Sequence, residues 1–445
     1  MQKVVMISLG CPKNIVEAEY LLGIFKNKGL IIINDINEAD IAVVHTCSFI
    51  KAAKAESERC IQNVLNIKKV TGLRVYVSGC LPQLLKEEMF ELFPEIDGFV
   101  GTGTLNKLPE LIFNKSSNEF YLSRLHFYPG GLNNSIYRLL SSNTSSTYLK
   151  IAEGCDHKCS FCIIPLLRGN YESRRIEVLV NEAKYLADNG IKELILIAQD
   201  VTSYGKDIYK VFALDKLLIK LSKIKELKWI RLLYAYPSSI TDNLLDVFKE
   251  YDNICNYIDI PIQHISKNIL ASMKRPLNTV NIIEKIKNKL PNVILRTSII
   301  IGFPGETEKD VSELVDFLNK MYFQYVGVFE YSDQKEATSS KFDKKIKRSV
   351  IKDRKLLIEN IQYGIFKFKI AKISDNIIII LVENCFKNGR NYTVKGRAYF
   401  QAPEIDGNVI AISSCSVKIG SFYKVKVVGV KGYDIKAVLQ DDLRN

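Results

Sequence analysis

Residues 152–165, AEGCDHKCSFCIIP, contain three cysteines close together, Cys155, Cys159 and Cys162, and no fourth cysteine follows at a matching distance. A structural zinc ion takes four ligands. The nearest additional ligand, His157, lies inside the same tight loop, where its ring would compete with three thiolates. A 4Fe-4S cluster fits the spacing better, because three thiolates leave one iron open for a substrate or cofactor. The motif therefore predicts an iron–sulfur cluster with an open position.

The composition is that of a globular protein with several domains. The chain has 445 residues, 47% of them hydrophobic and 25% charged, which favours about three domains with ample cores. No apolar run approaches the roughly 20 residues that span a bilayer, and the N-terminus turns polar too soon for a signal peptide. We therefore expect a cytoplasmic protein without a membrane anchor, in which ten cysteines include metal ligands rather than a disulfide framework.

The first hundred residues alternate apolar segments with helical patterns. The segments KVVMISLG, ADIAVVHT and GLRVYVSG are rich in Val and Ile, as buried parallel strands are, and predict a doubly wound α/β domain over residues 1–118. Cys11, Cys47 and Cys80 each follow one of these strands. Parallel strands bring their carboxyl ends to one edge, where open α/β sheets bind ligands. We therefore predict a joint metal site there, in preference to three separately packed core thiols.

The remaining chain divides into three further segments. Residues 119–147, rich in Ser, Asn and Gly, are a predicted linker. In residues 148–372 six strand segments alternate with helical segments, which predicts a partial (β/α)6 barrel with its site at the carboxyl ends of the strands. Residues 373–445 contain short β-rich runs with turns and predict a small antiparallel β-barrel.

The spacing CxxxCxxC after the first strand of a βα barrel resembles the radical S-adenosylmethionine (SAM) superfamily, and Phe161 is the aromatic residue usual in that loop. The resemblance implies that SAM binds the open iron and is cleaved to a 5′-deoxyadenosyl radical, which abstracts hydrogen from an unactivated C–H bond. It also implies that residues at other strand ends bind SAM, namely Gln199, Asp200, Arg296, Gly302 and Gly305. An alternative stays open for two of these groups: Arg296 as a structural ion-pair partner, and the glycines as turn residues only.

The three-cysteine N-terminal domain, the radical SAM barrel and the small C-terminal β-domain together resemble the methylthiotransferases over essentially the whole chain. The resemblance implies two 4Fe-4S clusters, the second held by Cys11, Cys47 and Cys80. SAM would act both as the methyl donor and as the source of the radical. The C-terminal domain would be a TRAM domain that grips a macromolecular substrate.

The substrate is indicated by shorter stretches. SLGCPKN, IAQDVTSYG, LLYAYP, YIDIPIQHIS and GRAYFQAPEIDG resemble the RimO-type branch, which implies methylthiolation of the β-carbon of an aspartate in a small-subunit ribosomal protein. The alternative is a tRNA adenosine methylthiotransferase, favoured by the net charge of +13, and contact with RNA is open in both cases. A third interpretation, a non-catalytic iron–sulfur carrier, is disfavoured because carriers usually enclose their cluster with four thiolates. The sequence identifies neither the reductant nor the sulfur donor.

Overall fold

Three main sheets organise the residues that the computed structural model describes, which are 1–114, 119–123, 138–141 and 145–440. Residues 124–137 and 142–144 of the predicted linker lie outside the described residues. Residues 119–121 of that linker form a strand of the first sheet. None of the helices in these ranges combines the length and the apolar composition that a membrane-spanning helix needs.

The first sheet is parallel and has the strand order β2-β1-β3-β4-β5-β6. Its strands are β1 Lys3–Ser8, β2 Ile31–Ile32, β3 Ile41–Thr46, β4 Arg74–Gly79, β5 Gly98–Val100 and β6 Glu119–Tyr121. Its helices are α1 Pro12–Asn27, α2 Lys51–Thr71, α3 Cys80–Leu85, α4 Glu88–Leu92 and α5 Leu108–Asn114. Neighbouring side chains of β1 point to opposite faces: Val4 packs in one apolar cluster with α1 and α5, and Val5 in another with α2. Helices therefore cover both faces, and the predicted doubly wound domain is confirmed.

The second sheet is also parallel, with the order β14-β13-β12-β11-β10-β7. Its strands are β7 Ser146–Lys150, β10 Glu193–Ile197, β11 Trp229–Leu232, β12 Ile254–Asp259, β13 Ile294–Ile301 and β14 Tyr325–Glu330, and the short strands β8 Ala152–Glu153 and β9 Glu172–Ser173 form a separate antiparallel pair. The helices are α6 Ile164–Arg168, α7 Ile176–Asp188, α8 Leu214–Ser222, α9 Asp242–Glu250, α10 Lys267–Ser272, α11 Thr279–Lys289, α12 Glu308–Met321 and α13 Arg348–Ala371. Because the sheet order ends at β7 on one side and at β14 on the other, these six strands form the predicted partial barrel.

The third sheet closes on itself in the order β15-β16-β17-β19-β18. Its strands are β15 Ile377–Asn388, β16 Asn391–Ala398, β17 Val409–Ser413, β18 Phe422–Lys431 and β19 Asp434–Leu439. Four strand pairs are antiparallel, as predicted, but β17 and β19 run parallel. A closed barrel with an odd number of strands cannot alternate direction throughout, so at least one pair must be parallel.

One apolar cluster joins helix α1 of the first domain to the second sheet and the small barrel. It combines side chains from α1, from the inner face of the second sheet, from α13 and from the small barrel, including Val16, Tyr20, Tyr148, Trp229, Tyr257, Phe366, Phe400 and Val409. Each of these side chains is at most 9% exposed. This shared core holds α1, and with it the loop at Cys11, against the central sheet.

Candidate functional site

The first three predicted cysteines lie at the carboxyl edge of the first sheet. Cys11 caps the N-terminus of α1, Cys47 directly follows β3, and Cys80 is the first residue of α3 after β4. The strands β1, β3 and β4 are direct neighbours, so the three loops are adjacent. Gly10, at φ +92°, shows how close they are, because a Cβ atom there would come within 2.5 Å of Cys47 Cβ.

The Cys80 thiol accepts a hydrogen bond from an arginine of the domain that contains the second sheet. Arg168, at the end of α6, donates from Nη2 to Cys80 Sγ at 3.3 Å and to Asn14 Oδ1 at 2.8 Å. Burial raises the pKa of the Cys80 thiol to about 12, although Arg168 favours the thiolate. A thiol of this kind gives up its proton on binding a metal.

A buried ion network continues from Arg168 into both domains. Its guanidinium also contacts Glu17 of α1 and lies 3.0 Å from Glu153 of β8, while Lys150 Nζ lies 2.8 Å from each of the two carboxylates. Burial disfavours the charged form of Glu17, but the positive charges of Arg168 and Lys150 outweigh burial and hold the pKa of Glu17 well below its usual range. Two cations and two carboxylates neutralise one another, which is what keeps such a cluster tolerable in a core.

Sequence analysis did not identify this network. One signal was present: Lys150 stands in the otherwise apolar strand segment YLKIA, and a charged residue in a buried strand requires a partner. The partners themselves are far apart along the chain, so no local pattern connects them.

The second group of cysteines occupies the loop between β8 and α6. Cys162 N donates to Cys159 O at 3.1 Å, and Ser160 pins the loop by donating from N to Met273 O at 3.1 Å and from Oγ to Ser272 O at 2.7 Å. Burial raises the pKa of Cys155 and of Cys162 to about 12 in each case. The structure therefore brings all three thiols into one anchored loop.

Aromatic and charged side chains border this loop. His157 Nε2 lies 2.8 Å from Asp200 Oδ2, and its ring stacks on Tyr236 with centroids 3.6 Å apart. Arg275 lies over the same Tyr236 ring at 4.2 Å, and its Nη1 is 3.9 Å from Cys159 Sγ. Tyr236 and Arg275 were not predicted from the sequence.

The geometry does not favour the zinc alternative. Within the described ranges, no three Cys, His, Asp or Glu side chains converge closely enough to chelate a single metal ion, and His157 is engaged with Asp200. A cubane places less demand on convergence, because each thiolate binds a different iron. Both cysteine groups fit a cluster better than a single ion.

Among the predicted SAM contacts, Gln199 retains a free acceptor. Its Nε2 donates to Glu153 Oε1, whereas its Oε1 is buried and has no hydrogen-bond partner. A buried acceptor without a partner is costly, and an ammonium group would satisfy it. Asp200, in contrast, accepts hydrogen bonds from Thr202 and Ser203 as well as facing His157, so its oxygens already hold the loop.

The other three predicted SAM contacts differ in what surrounds them. Arg296 lies 2.8 Å from Asp259 and 3.3 Å from Asp406 of the small barrel, so the ion-pair alternative describes its contacts. A Cβ atom at Gly302, φ +81°, would overlap Ile351 of α13, whereas Gly305, φ +85°, faces open space. At Gly302 both the packing and the left-handed backbone require a glycine, whereas at Gly305 only the backbone conformation does. The role of Arg296, Gly302 and Gly305 in binding SAM stays a prediction.

Replacing Gly154 by Ala is expected to unfold the second cysteine loop. Gly154 precedes Cys155 at φ +76°, and a Cβ atom there would overlap the carbonyl oxygen of Asn170. The left-handed backbone alone costs about 1–2 kcal/mol for a residue with a side chain. Iron content of the reconstituted variant should fall by about half. Gly190→Ala is the matched control, because Gly190 has φ +95° with no neighbour within 4 Å. Equal iron content in both variants would contradict the prediction.

Three family profiles match separate parts of the chain. The profile of the "Radical SAM superfamily" matches residues 149–318, that of the "TRAM domain" residues 376–439, and that of "Uncharacterized protein family UPF0004" residues 3–101. Among solved structures, the radical SAM methyltransferase TsrM from Kitasatospora setae aligns with a TM-score of 0.54 at 13% identity, covering 74% of this chain and 73% of TsrM. That likeness concerns the fold alone.

Relatives of full length are far more similar. A protein of Endomicrobium trichonymphae called ribosomal protein uS12 methylthiotransferase RimO is 64% identical over 439 residues, 99% of either chain. Proteins of the same name from Clostridioides difficile and Aquifex aeolicus are 41% and 39% identical over 98% and 97% of this chain. Identity of this size over nearly the full length of both chains places this chain in one family with them. This protein belongs to the RimO family of radical SAM methylthiotransferases.

Proposed function

We propose that this protein methylthiolates ribosomal protein uS12, at the β-carbon of an aspartate. The relatives named as uS12 methylthiotransferases, similar over the whole chain, support this substrate. They do not favour the tRNA alternative, which depended on the net charge of the chain. The observation that carries the chemistry is the presence of two groups of three cysteines, connected by Arg168, which contacts Cys80 of one group and Glu153 beside the loop of the other.

Each of the two cysteine groups is proposed to hold one 4Fe-4S cluster. Cys155, Cys159 and Cys162 would hold one cluster, and Cys11, Cys47 and Cys80 would hold the other. When bound, SAM and the clusters would supply a methyl group, a binding place for sulfur and the abstraction of a hydrogen atom. Acid–base groups cannot remove hydrogen from an unactivated carbon.

The chain's own residues prepare this chemistry. Gln199 Oε1 is the acceptor proposed for the SAM ammonium group, since it is buried and unpartnered. Arg168 donates to Cys80 Sγ and so favours the thiolate form that a metal ligand requires. The stacked pair of His157 and Tyr236 borders the loop of Cys155, Cys159 and Cys162, and burial of such a site limits the access of water.

Deletion of the gene tests the substrate directly. Mass spectrometry should show that the methylthio group disappears from the aspartate-bearing uS12 peptide, while the methylthio nucleosides of digested tRNA are unchanged. Wild-type protein supplied in trans should restore the group. Loss from tRNA alone would contradict the proposal and support the tRNA alternative.

A further inference from the structure

Lys13 is a buried cation without an ionic partner. It lies two residues after Cys11 in the first turn of α1, is 9% exposed, and its Nζ sits 3.6 Å from the ring centroid of Tyr234. It forms no ion pair with a carboxylate in the described part of the chain. A cation–π contact compensates only part of what an ammonium group loses when it leaves water.

The carboxylates that act electrostatically on Lys13 are Glu153 and Asp259, and both have other partners. Glu153 is paired with Lys150 and Arg168, and Asp259 with Arg296. Neither carboxylate therefore forms an ion pair with Lys13, and a bound anion would supply the partner that its ammonium group lacks.

Tyr234 holds its ring beneath this ammonium group by an unusual backbone. It follows β11 at φ +67°, a conformation that costs energy for a bulky residue, and its N–H donates to Asp259 Oδ2 at 2.9 Å. Strained residues at the carboxyl ends of barrel strands cluster where ligands bind. Lys13 and Tyr234 thus come from two domains and meet beside the Cys11 loop.

We propose that Lys13 binds the side-chain carboxylate of the substrate aspartate and that Tyr234 positions Lys13 for this contact. The inference rests on the proposed function. In an aspartate the β-carbon is bonded directly to the carboxylate carbon, so a carboxylate held at Lys13 keeps the reacting carbon next to the loop of Cys11. A nucleoside base offers no carboxylate to this site, which makes Lys13 a determinant of substrate class.

Binding of two forms of uS12 to the reconstituted holoenzyme tests this role. The two forms are the natural protein and a variant with the modified aspartate changed to Asn, each with a fluorescent label. Wild-type enzyme should bind the aspartate form at least about tenfold more tightly than the asparagine form, because a charge-assisted hydrogen bond contributes about this factor to affinity. Lys13→Met should bind both forms equally. Lys26→Met, on the exposed side of the same helix, removes the same charge and should keep the preference.

Each other result would overturn the inference. If Lys13→Met kept the preference for the aspartate form, or if wild-type enzyme lacked that preference, Lys13 would not be the group that binds the carboxylate. Loss of iron and of visible absorbance in both Lys13→Met and Lys13→Gln would show that its charge serves the metal site instead. Failure of the proposed function is distinguishable, because wild-type enzyme would then leave uS12 unmodified in the mass spectrum, whatever the Lys13 variants bind.

Discussion

Cys159→Ala should abolish methylthiolation of uS12, with a fall of more than about 100-fold, because loss of even an outer partner of a metal ligand costs 10–100-fold. Cys159 is the middle thiol of the loop that Ser160 anchors, and Arg275 Nη1 lies 3.9 Å from its sulfur. With two thiolates left, the loop cannot hold a cluster that already uses only three. The measurement is reductive cleavage of SAM and the modified fraction of uS12, with iron content determined on the same preparations.

The matched control is Cys60→Ala. Cys60 lies in α2 and is half-buried, and burial raises the pKa of its thiol. Its replacement should leave the iron content and both activities close to those of wild-type protein. A Cys159→Ala protein that still cleaved SAM at the wild-type rate would exclude this loop as the site of radical chemistry.

Glu193→Ala should destabilise the protein by about 3–5 kcal/mol, the usual consequence of removing one partner from a buried ion pair. Glu193, fully buried at the start of β10, accepts from Arg231 Nε at 2.8 Å and lies within an ion pair with Arg397 of the small barrel. Removal of the carboxylate leaves the buried Arg231 without its ion-pair partner and Arg397 with Glu383 alone. The measurement is the free energy of unfolding in urea, and Glu38→Ala, which breaks an exposed pair with Lys3, should change it by no more than about 1 kcal/mol.

The same carboxylate predicts a dependence of stability on pH. Burial disfavours its charge, but Arg397 and Arg231 outweigh burial and lower the pKa of Glu193 from 4.5 to about 2. The unfolded chain therefore takes up this proton first as the pH falls, so the contribution is complete above about pH 4.5 and is lost on the way to about pH 2. A shift of this size corresponds to about 3 kcal/mol. Glu193→Ala should lack this part of the acid slope, and an unchanged slope would contradict the assignment.

The sequence alone was sufficient for the architecture and for the cysteine loops. Alternating apolar and helical segments predicted a doubly wound domain and a partial barrel, because the side-chain periods of strands and helices are local properties of the chain. The spacing of Cys155, Cys159 and Cys162 is likewise local. Cys11, Cys47 and Cys80 could be predicted to lie close together because parallel strands share one edge. The small barrel was predicted as antiparallel, and only closure of five strands required the parallel pair of β17 and β19.

The tertiary structure decided which charges and rings meet between these local units. Arg168 contacts Cys80 across 88 positions of the chain, and Lys13 meets the ring of Tyr234 although they belong to different domains. Arg296, the third residue of β13, was predicted to contact SAM; its ion-pair partners in the fold are Asp259 and Asp406, and the contact with SAM stays a prediction. Strand and helix patterns depend on neighbouring residues along the chain, whereas a buried charge takes its partner from whatever the packing of whole domains brings within a few ångströms. The cysteine-bearing loops could therefore be located from the sequence, whereas the ion pairs that surround them were determined by the folded structure.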